Sequence, residues 1–334
     1  VQIAVIGAGA LGSTFATLLA RAGHRVTVTA RGRALDVIRE EGIRLSGGFG
    51  DTHCRPIALE RLTETPDLTL VCTKAHDAEA AITDNASAIN GSPVIVVQNG
   101  LDGVTTAARL LPDSECFGAL TLIAAHYESP GVVRVTTAAP TYLGRDSGAA
   151  DAATRHWQAV LGTAVPTSAE GNFVGAQWTK LVVNMLNALP AITGLSVQEV
   201  IDHPGLRRVM TASMREAVRV ARARGVTFGQ LQGLDDRRLR AFAVLPLWAG
   251  QLLPLRLRAR MGAVPNQGST LQSLQRGQVT EIDYLNGAIV RAATLAGISA
   301  PVSAVLTALV HEVEVSGISL TPDAVLARFA GGCR

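Results

Sequence analysis

Short apolar runs recur through the first half of the chain and alternate with stretches of helical period. The second half carries helical period almost alone. Ile3-Ala4-Val5-Ile6 opens the series, β-branched and too short for a helix, as a buried parallel strand requires. Gly7-Ala8-Gly9-Ala10-Leu11-Gly12 follows, then helix-forming residues to Ala22, with Gly23 as the stop. Val26 to Val28 gives the second strand, and a helix runs from beyond Arg31 to about Glu41. Gly42 to Pro56 reads as strands around a Gly47-Gly48 turn. Asp67 to Thr73 and Pro93 to Val97 read as further buried strands, with a helix between them to about Ile89. Gly118 to Leu143 alternates small, apolar and polar residues and reads as antiparallel strands finishing the sheet. Gly148 to Leu161 reads as a helix. The predicted fold class is α/β: a doubly wound sheet domain over 1–168, followed by an all-helical C-terminal domain over 169–334.

The first βαβ unit carries a ligand signature. Gly7 makes the tight turn, Gly9 lets a pyrophosphate approach the backbone, and Gly12 lets helix and strand pack closely. The helix that begins beside Ala8, Ala10 and Leu11 offers N–H groups to phosphates. Strand before and helix after favour dinucleotide binding over a Gly-rich turn of another α/β protein, such as a methyltransferase. No GK[ST] follows, which excludes a P-loop. An NAD site usually carries Asp or Glu at the end of the second strand. Thr29-Ala30-Arg31 stands there instead. A guanidinium at Arg31 can pair with a 2′-phosphate, which favours NADP(H), unless it is simply a solvated surface Arg.

Composition narrows the class further. The 334 residues are 48% hydrophobic and 17% charged, enough for two well-buried domains. A formal net charge of +3 is too weak to argue for nucleic acid, though it favours an anionic ligand. Cys54, Cys72, Cys116 and Cys333 lack metal spacing, and the histidines form no HExxH, so no metal site is expected. No apolar run is long enough for a membrane span and no leader precedes the first strand, so a cytoplasmic protein is expected. The arginines of Leu206–Arg224 read as a solvated face of an amphipathic helix. Ala241 to Leu257 is apolar but broken by Pro246 and Pro254. It reads as a partly buried segment over the cleft or at a subunit contact, which leaves a homodimer open. The tail after Ala330 reads as frayed.

Lys74 follows the third buried strand and Asn99 the fourth. Ligands of open parallel sheets lie beyond the carboxyl ends of strands, so both are candidates for binding cofactor or substrate. The bland readings are a solvated lysine and an Asn99-Gly100 turn. In the second half, Lys180, Asn184 and Asn187 fall at i, i+4 and i+7, one face of a helix. A polar stripe on so apolar a helix needs partners or solvent. Two amides beside one ammonium suit an anionic, oxygen-rich ligand, and desolvation lowers the lysine pKa toward the range of a proton donor. Near the end, Thr280 reads as an N-cap with Asp283 completing its capping box, which places Glu281 in the first turn. That explanation suffices structurally. The functional one is that Glu281 contacts the cofactor or orients Lys180. Ser269, in a loop beside a helix start, can bind a carboxylate or hydroxyl.

With these residues assembled, the chain resembles the ketopantoate reductase (2-dehydropantoate 2-reductase) family over nearly its whole length. The resemblance rests on GAGALG at Gly7, Lys74-Ala75, Gln98-Asn99-Gly100, WTKLVVN at Trp178 and TEIDYLNG at Thr280. It implies a Rossmann domain plus a helical domain, with NADPH as cofactor and a small 2-oxo acid as substrate. It implies reduction of ketopantoate to pantoate, a step of pantothenate and coenzyme A biosynthesis. Lys180 is then the general acid, and Asn99, Asn184 and Ser269 bind substrate. Glu281 is an active-site residue on the cofactor side. The pattern departs in three places. The family's second helix asparagine usually stands eight after the lysine, where this chain has Ala188; a one-residue deletion makes Asn187 the equivalent. A further asparagine is replaced near Val197. The family's SMxxD reads Ser269-Thr270-Leu271-Gln272-Ser273, without its acid. The resemblance therefore supports the chemistry more firmly than the substrate. Two readings stay open beside it: a related reductase of another 2-oxo acid or ketone, and an NADP(H)-binding protein without turnover.

Overall fold

The computed structural model describes residues 1–262 and 264–329. Cys333 and the tail after Ala330 lie outside the described residues. Val1–Val174 and Gly175–Arg334 form two compact units.

The first unit opens with β1 (Gln2–Ile6), α1 (Ala10–Arg21) and β2 (Arg25–Thr29). α2 (Gly32–Glu41), β3 (Ile43–Gly47), β4 (Thr52–Cys54) and β5 (Ile57–Leu59) follow. The chain continues through β6 (Leu68–Val71), α3 (Ala75–Ile89), β7 (Val94–Val97), α4 (Gly103–Leu110) and β8 (Cys116–Thr121). The unit closes with β9 (Ala124–Ser129), β10 (Val132–Thr137), β11 (Thr141–Gly144), α5 (Ala152–Gly162) and β12 (Thr167–Ala169). The main sheet has the order β12-β11-β8-β7-β6-β1-β2-β5. From β5 to β8 every pairing is parallel, and only the β8–β11 pairing is antiparallel. The central strands β6, β7 and β8 are buried at every position, as strands covered on both faces must be.

The stretch from Gly118 to Leu143 does not all finish this sheet. β9 and β10 leave it and join β3 and β4 in a second sheet of order β4-β3-β10-β9. Its strands show the reason. β10 buries only Val133 and Val135 and exposes Arg134 and Thr136 on the opposite face, the pattern of a sheet with one solvated side. That buried side covers α1, which packs against β3, β4, β9 and β10 as well as β1 and β2. α1 is therefore enclosed all round, and every residue from Gly12 to Leu19 is buried. Its hydroxyls are satisfied within the turn: Thr14 Oγ1 donates to Ala10 O and Thr17 Oγ1 to Ser13 O.

The second unit is helical. α6 (Phe173–Asn184), which begins just before it, leads into α7 (Ala188–Thr193), α8 (Val197–Asp202) and α9 (Pro204–Ala223). α10 (Asp236–Val244), α11 (Leu247–Gly250), α12 (Leu252–Arg260) and α13 (Gly268–Gln275) come next. A 3-10 turn at Ile282–Tyr284 precedes α14 (Asn286–Leu295), α15 (Pro301–Ser316) and α16 (Pro322–Ala327). α9 is the hub, packed against α8, α10, α11, α12, α14, α15 and α16. Its buried Glu216 accepts from Val302 N and Ser303 N at 3.0 and 2.7 Å and so caps α15. The arginines of α9 do not form one solvated face. Arg208, Arg219 and Arg222 are exposed, whereas Arg207 donates to Gln251 Oε1 and Arg215 to Ala243 O, tying down α10 to α12. Pro246 divides the apolar segment 241–257 as expected, between α10 and α11, whereas Pro254 is accommodated in the first turn of α12 and the second break falls at Gln251. Phe242, Gly250 and Leu257 are buried, and Val244, Trp248 and Leu252 stand exposed. Among the described residues no helix is long and apolar enough to cross a membrane.

Candidate active site

β1 lies between β6 and β2, the point where the strand order reverses and where open α/β sheets receive ligands. Its glycine turn is shaped by two different demands. Gly7 has φ +98°, and its N–H donates to Thr29 Oγ1 at 3.2 Å. A Cβ on Gly12 would stand 1.8 Å from Gly7 O. Gly7 and Gly12 are thus demanded by the protein itself. Gly9 is not: its φ is −74°, and a Cβ there would meet nothing within 4 Å. The open side at Gly9, together with the N-terminus of α1 at Ala10 and Leu11, fits a dinucleotide pyrophosphate. Ala8 is buried beside it.

The other candidates of this unit stand at neighbouring strand ends. Arg31 is the N-cap of α2, and its Nη2 donates to Asp84 Oδ2 on α3 at 2.6 Å. Lys74 is the N-cap of α3 after β6, and Asn99 follows β7; both are half-buried. Gln98 links these ends: its Nε2 donates to Thr73 O at 2.8 Å. A cavity of about 130 Å³ lies elsewhere, lined by Gln2, Ile3, Arg25, Ile57 and Pro66 among others, and none of the candidate residues borders it.

In the second unit Lys180 rides on α6, whose neighbours Trp178, Thr179, Leu181 and Val182 are buried. Thr179 Oγ1 donates to Gly229 O at 2.7 Å and fixes the helix rotation. Lys180, Val183, Asn184 and Asn187 are half-buried while the positions between are buried, so the polar stripe exists. It is not one continuous helix. α6 stops at Asn184, and the N–H groups of Met185, Leu186 and Asn187 turn to carbonyls three residues back. Pro190 supplies the reason: its ring is tolerated in the first turn of α7 but not inside an unbroken helix. Asn187 becomes the N-cap of α7, and its Oδ1 lies 2.7 Å from where a Cβ on Gly268 would be. Asn187 thus meets the first turn of α13, which carries Ser269, while Ala188 is fully buried. Ser269 is exposed and sits inside that first turn rather than in a loop.

Burial pushes the Lys180 ammonium down to about 8, and the charge of Glu281 pulls it partly back up. The expected capping box around Glu281 does not form. Thr280 N donates to Glu314 Oε1 at 2.8 Å, and Asp283 Oδ1 takes His311 Nε2 at 3.0 Å. His311 Nδ1 meets Glu314 Oε2 at 2.6 Å. Burial disfavours the imidazolium, but the two carboxylates outweigh it and raise the His311 pKa. α15 thus holds the segment from both sides, and α14 starts only at Asn286. Thr280 keeps the local half of the cap, its Oγ1 accepting from Ile282 N at 3.2 Å, and tertiary partners replace the rest. His311 and Glu314 were not legible in advance, because they lie some thirty residues further along the chain.

The model of the family described as ketopantoate reductase PanE/ApbA matches residues 3–148, and its C-terminal counterpart matches residues 172–314. The chain belongs to the ketopantoate reductase family. It is therefore an oxidoreductase of a family that works with nicotinamide dinucleotides. The 2-dehydropantoate 2-reductase of Halobacterium salinarum is 30% identical over 325 residues, covering 95% of this chain and 100% of that protein. The crystal structure of a PanE/ApbA family ketopantoate reductase from Ralstonia eutropha superposes with a TM-score of 0.81 at 31% identity, covering 94% of this chain and 99% of that one. A D-mandelate dehydrogenase solved with NADH and anilino(oxo)acetate shares the fold at a TM-score of 0.81 and 21% identity, covering 95% of this chain and 99% of that one. Against the family pattern, Val197 is buried at the start of α8 with its N–H on Asn266 O, and Ser273 Oγ donates back to Ser269 O. Neither position carries the amide or carboxylate of that pattern.

Proposed function

We propose that the protein reduces a small 2-oxo acid with NADPH, ketopantoate being the leading substrate and pantoate the product, a step toward pantothenate. The observation that carries this reading is Lys180, half-buried on α6 between the buried Thr179 and Leu181, where burial depresses its ammonium to about 8 against the opposing charge of Glu281. Nicotinamide, when bound, supplies a hydride to the carbonyl carbon. Lys180 protonates the carbonyl oxygen as negative charge develops there, so the product is the alcohol and the lysine is left neutral. Asn99, Asn184, Asn187 and Ser269 supply hydrogen bonds to the carboxylate and hydroxyl groups of the substrate. The Gly7–Gly12 turn holds the pyrophosphate, and Arg31 and Lys74 hold the phosphates at the adenosine side. Arg31 stands at the end of β2 in place of the Asp or Glu with which an NAD enzyme reads its ribose, which supports NADPH.

The test is a panel of NADPH-oxidation rates across 2-oxo acids. Absence of turnover with every member would leave a dinucleotide-binding protein without this activity. The changes at Val197 and Ser273 favour a second reading, a relaxed or shifted substrate range. A site built to bind a substrate hydroxyl rejects an analogue lacking it by about 10⁴ or more. We expect kcat/KM for ketopantoate to exceed that for a 2-oxo acid of similar size without the hydroxyl by less than this. A preference of that full size would restore the ordinary, dedicated reductase.

The proton donor also sets a pH dependence. Lys180 acts as an acid only when protonated, so kcat holds below about 8 and falls as pH rises through it. Glu281→Gln removes the charge that raises the lysine pKa and leaves the burial that lowers it. The falling limb of the kcat profile then moves to lower pH. A limb that stays in place in the variant shows that Glu281 does not act through Lys180.

A further inference from the structure

The pairing of β2 with β5 sets a second arginine beside Arg31. The two strands run parallel, with Thr29 opposite Leu59, and Ala30 N donates to Leu59 O at 3.0 Å. Two residues beyond each partner stand Arg31 and Arg61. Both guanidiniums converge on one carboxylate: Arg31 Nη2 meets Asp84 Oδ2 at 2.6 Å, and Arg61 Nη2 meets Asp84 Oδ1 at 3.2 Å. Both side chains are otherwise about two-thirds exposed. The backbone next to Arg61 is not loose. Leu62 N donates to Asn85 Oδ1 at 2.8 Å, Asn85 Nδ2 donates to Ala81 O, and Leu62 and Asn85 are both buried.

We propose that Arg61 is a second specificity-determining residue for the cofactor and reads the 2′-phosphate together with Arg31. The inference rests on the NADPH reading above and adds to it a residue from a different strand. Two cations against one carboxylate leave a net positive spot at the end of β2, where the ribose of a Rossmann dinucleotide falls. Because both guanidiniums already share one oxyanion, both can share another. A guanidinium has five N–H donors, and Asp84 takes one Nη2 from each arginine, so a phosphate can be met by the other edges. The anchored Leu62 keeps Arg61 at this rim, which lowers the ordering cost of engaging a ligand.

Dissociation constants of NADPH and NADH for the full chain, read by cofactor fluorescence without substrate, test the idea. The variants are Arg61→Gln, Arg61→Lys and, for reference, Arg31→Gln. Arg61→Gln is expected to weaken NADPH about tenfold, the size of a lost charge-assisted hydrogen bond. NADH should stay within about twofold, which also reports an intact fold, and Arg61→Lys should recover part of the loss. If the wild-type chain prefers NADPH but Arg61→Gln changes neither cofactor, or both equally, Arg61 has no part in the discrimination while the NADPH reading stands. A wild-type chain that binds both cofactors equally overturns both together.

Discussion

Lys180→Ala lowers kcat by about 10²–10⁴, the usual contribution of a positioned general acid. The structure makes this a test of chemistry rather than of folding. Lys180 is one of the half-buried positions of α6, and the helix is held by its neighbours: Trp178, Leu181 and Val182 are buried, and Thr179 is bonded to Gly229 O. Thermal stability and the affinity for NADPH are therefore expected to survive while turnover collapses. Lys180→Arg should not rescue it. A guanidinium keeps the positive charge but does not release a proton at working pH, so it separates proton donation from simple electrostatic support. A Lys180→Ala protein with near-normal kcat would mean that the stripe on α6 is structural and that the acid lies elsewhere.

Gly12→Ala and Gly9→Ala are expected to fail in opposite ways. At Gly12 a Cβ falls 1.8 Å from Gly7 O, a backbone atom that cannot turn aside, and 3.1 Å from Cys72 Cβ. α1 is enclosed on every side, so it cannot retreat without opening the second sheet. The cost should lie at or above the roughly 3 kcal/mol upper end of ordinary overpacking, read as a fall in the denaturation midpoint of the chain without any ligand. At Gly9 a Cβ meets nothing within 4 Å, and the backbone already has an ordinary φ. Stability there should change by no more than about 1 kcal/mol, the scale of an N-cap exchange. NADPH binding should nonetheless weaken strongly, because the methyl occupies the approach to the pyrophosphate. Gly9→Ala with unchanged NADPH affinity would show that the dinucleotide does not cross this turn.

The local parts were legible in the order of residues, because their causes are local. Ile3–Ile6, the glycine turn and the helix after it are read from spacing and residue type, since a buried strand and a tight turn each tolerate few residues. The polar stripe of Lys180, Asn184 and Asn187 was legible as a stripe. Its break at Met185–Asn187 was also written in the chain, at Pro190, but spacing alone did not weigh it. The missing acid after β2 was legible as well, for it is a single position at a strand end. Features that depend on partners far along the chain were set by the folded arrangement. β9 and β10 left the main sheet because β3 offered them an edge and α1 an apolar face to cover. Thr280 and Asp283 gave up a local capping box because Glu314 and His311 of α15 offered stronger, charged partners. Arg61 came to stand beside Arg31 through the register of β2 on β5, with Asp84 of α3 between them. Such pairings are set by which surfaces meet on folding, and no periodicity within one segment encodes them.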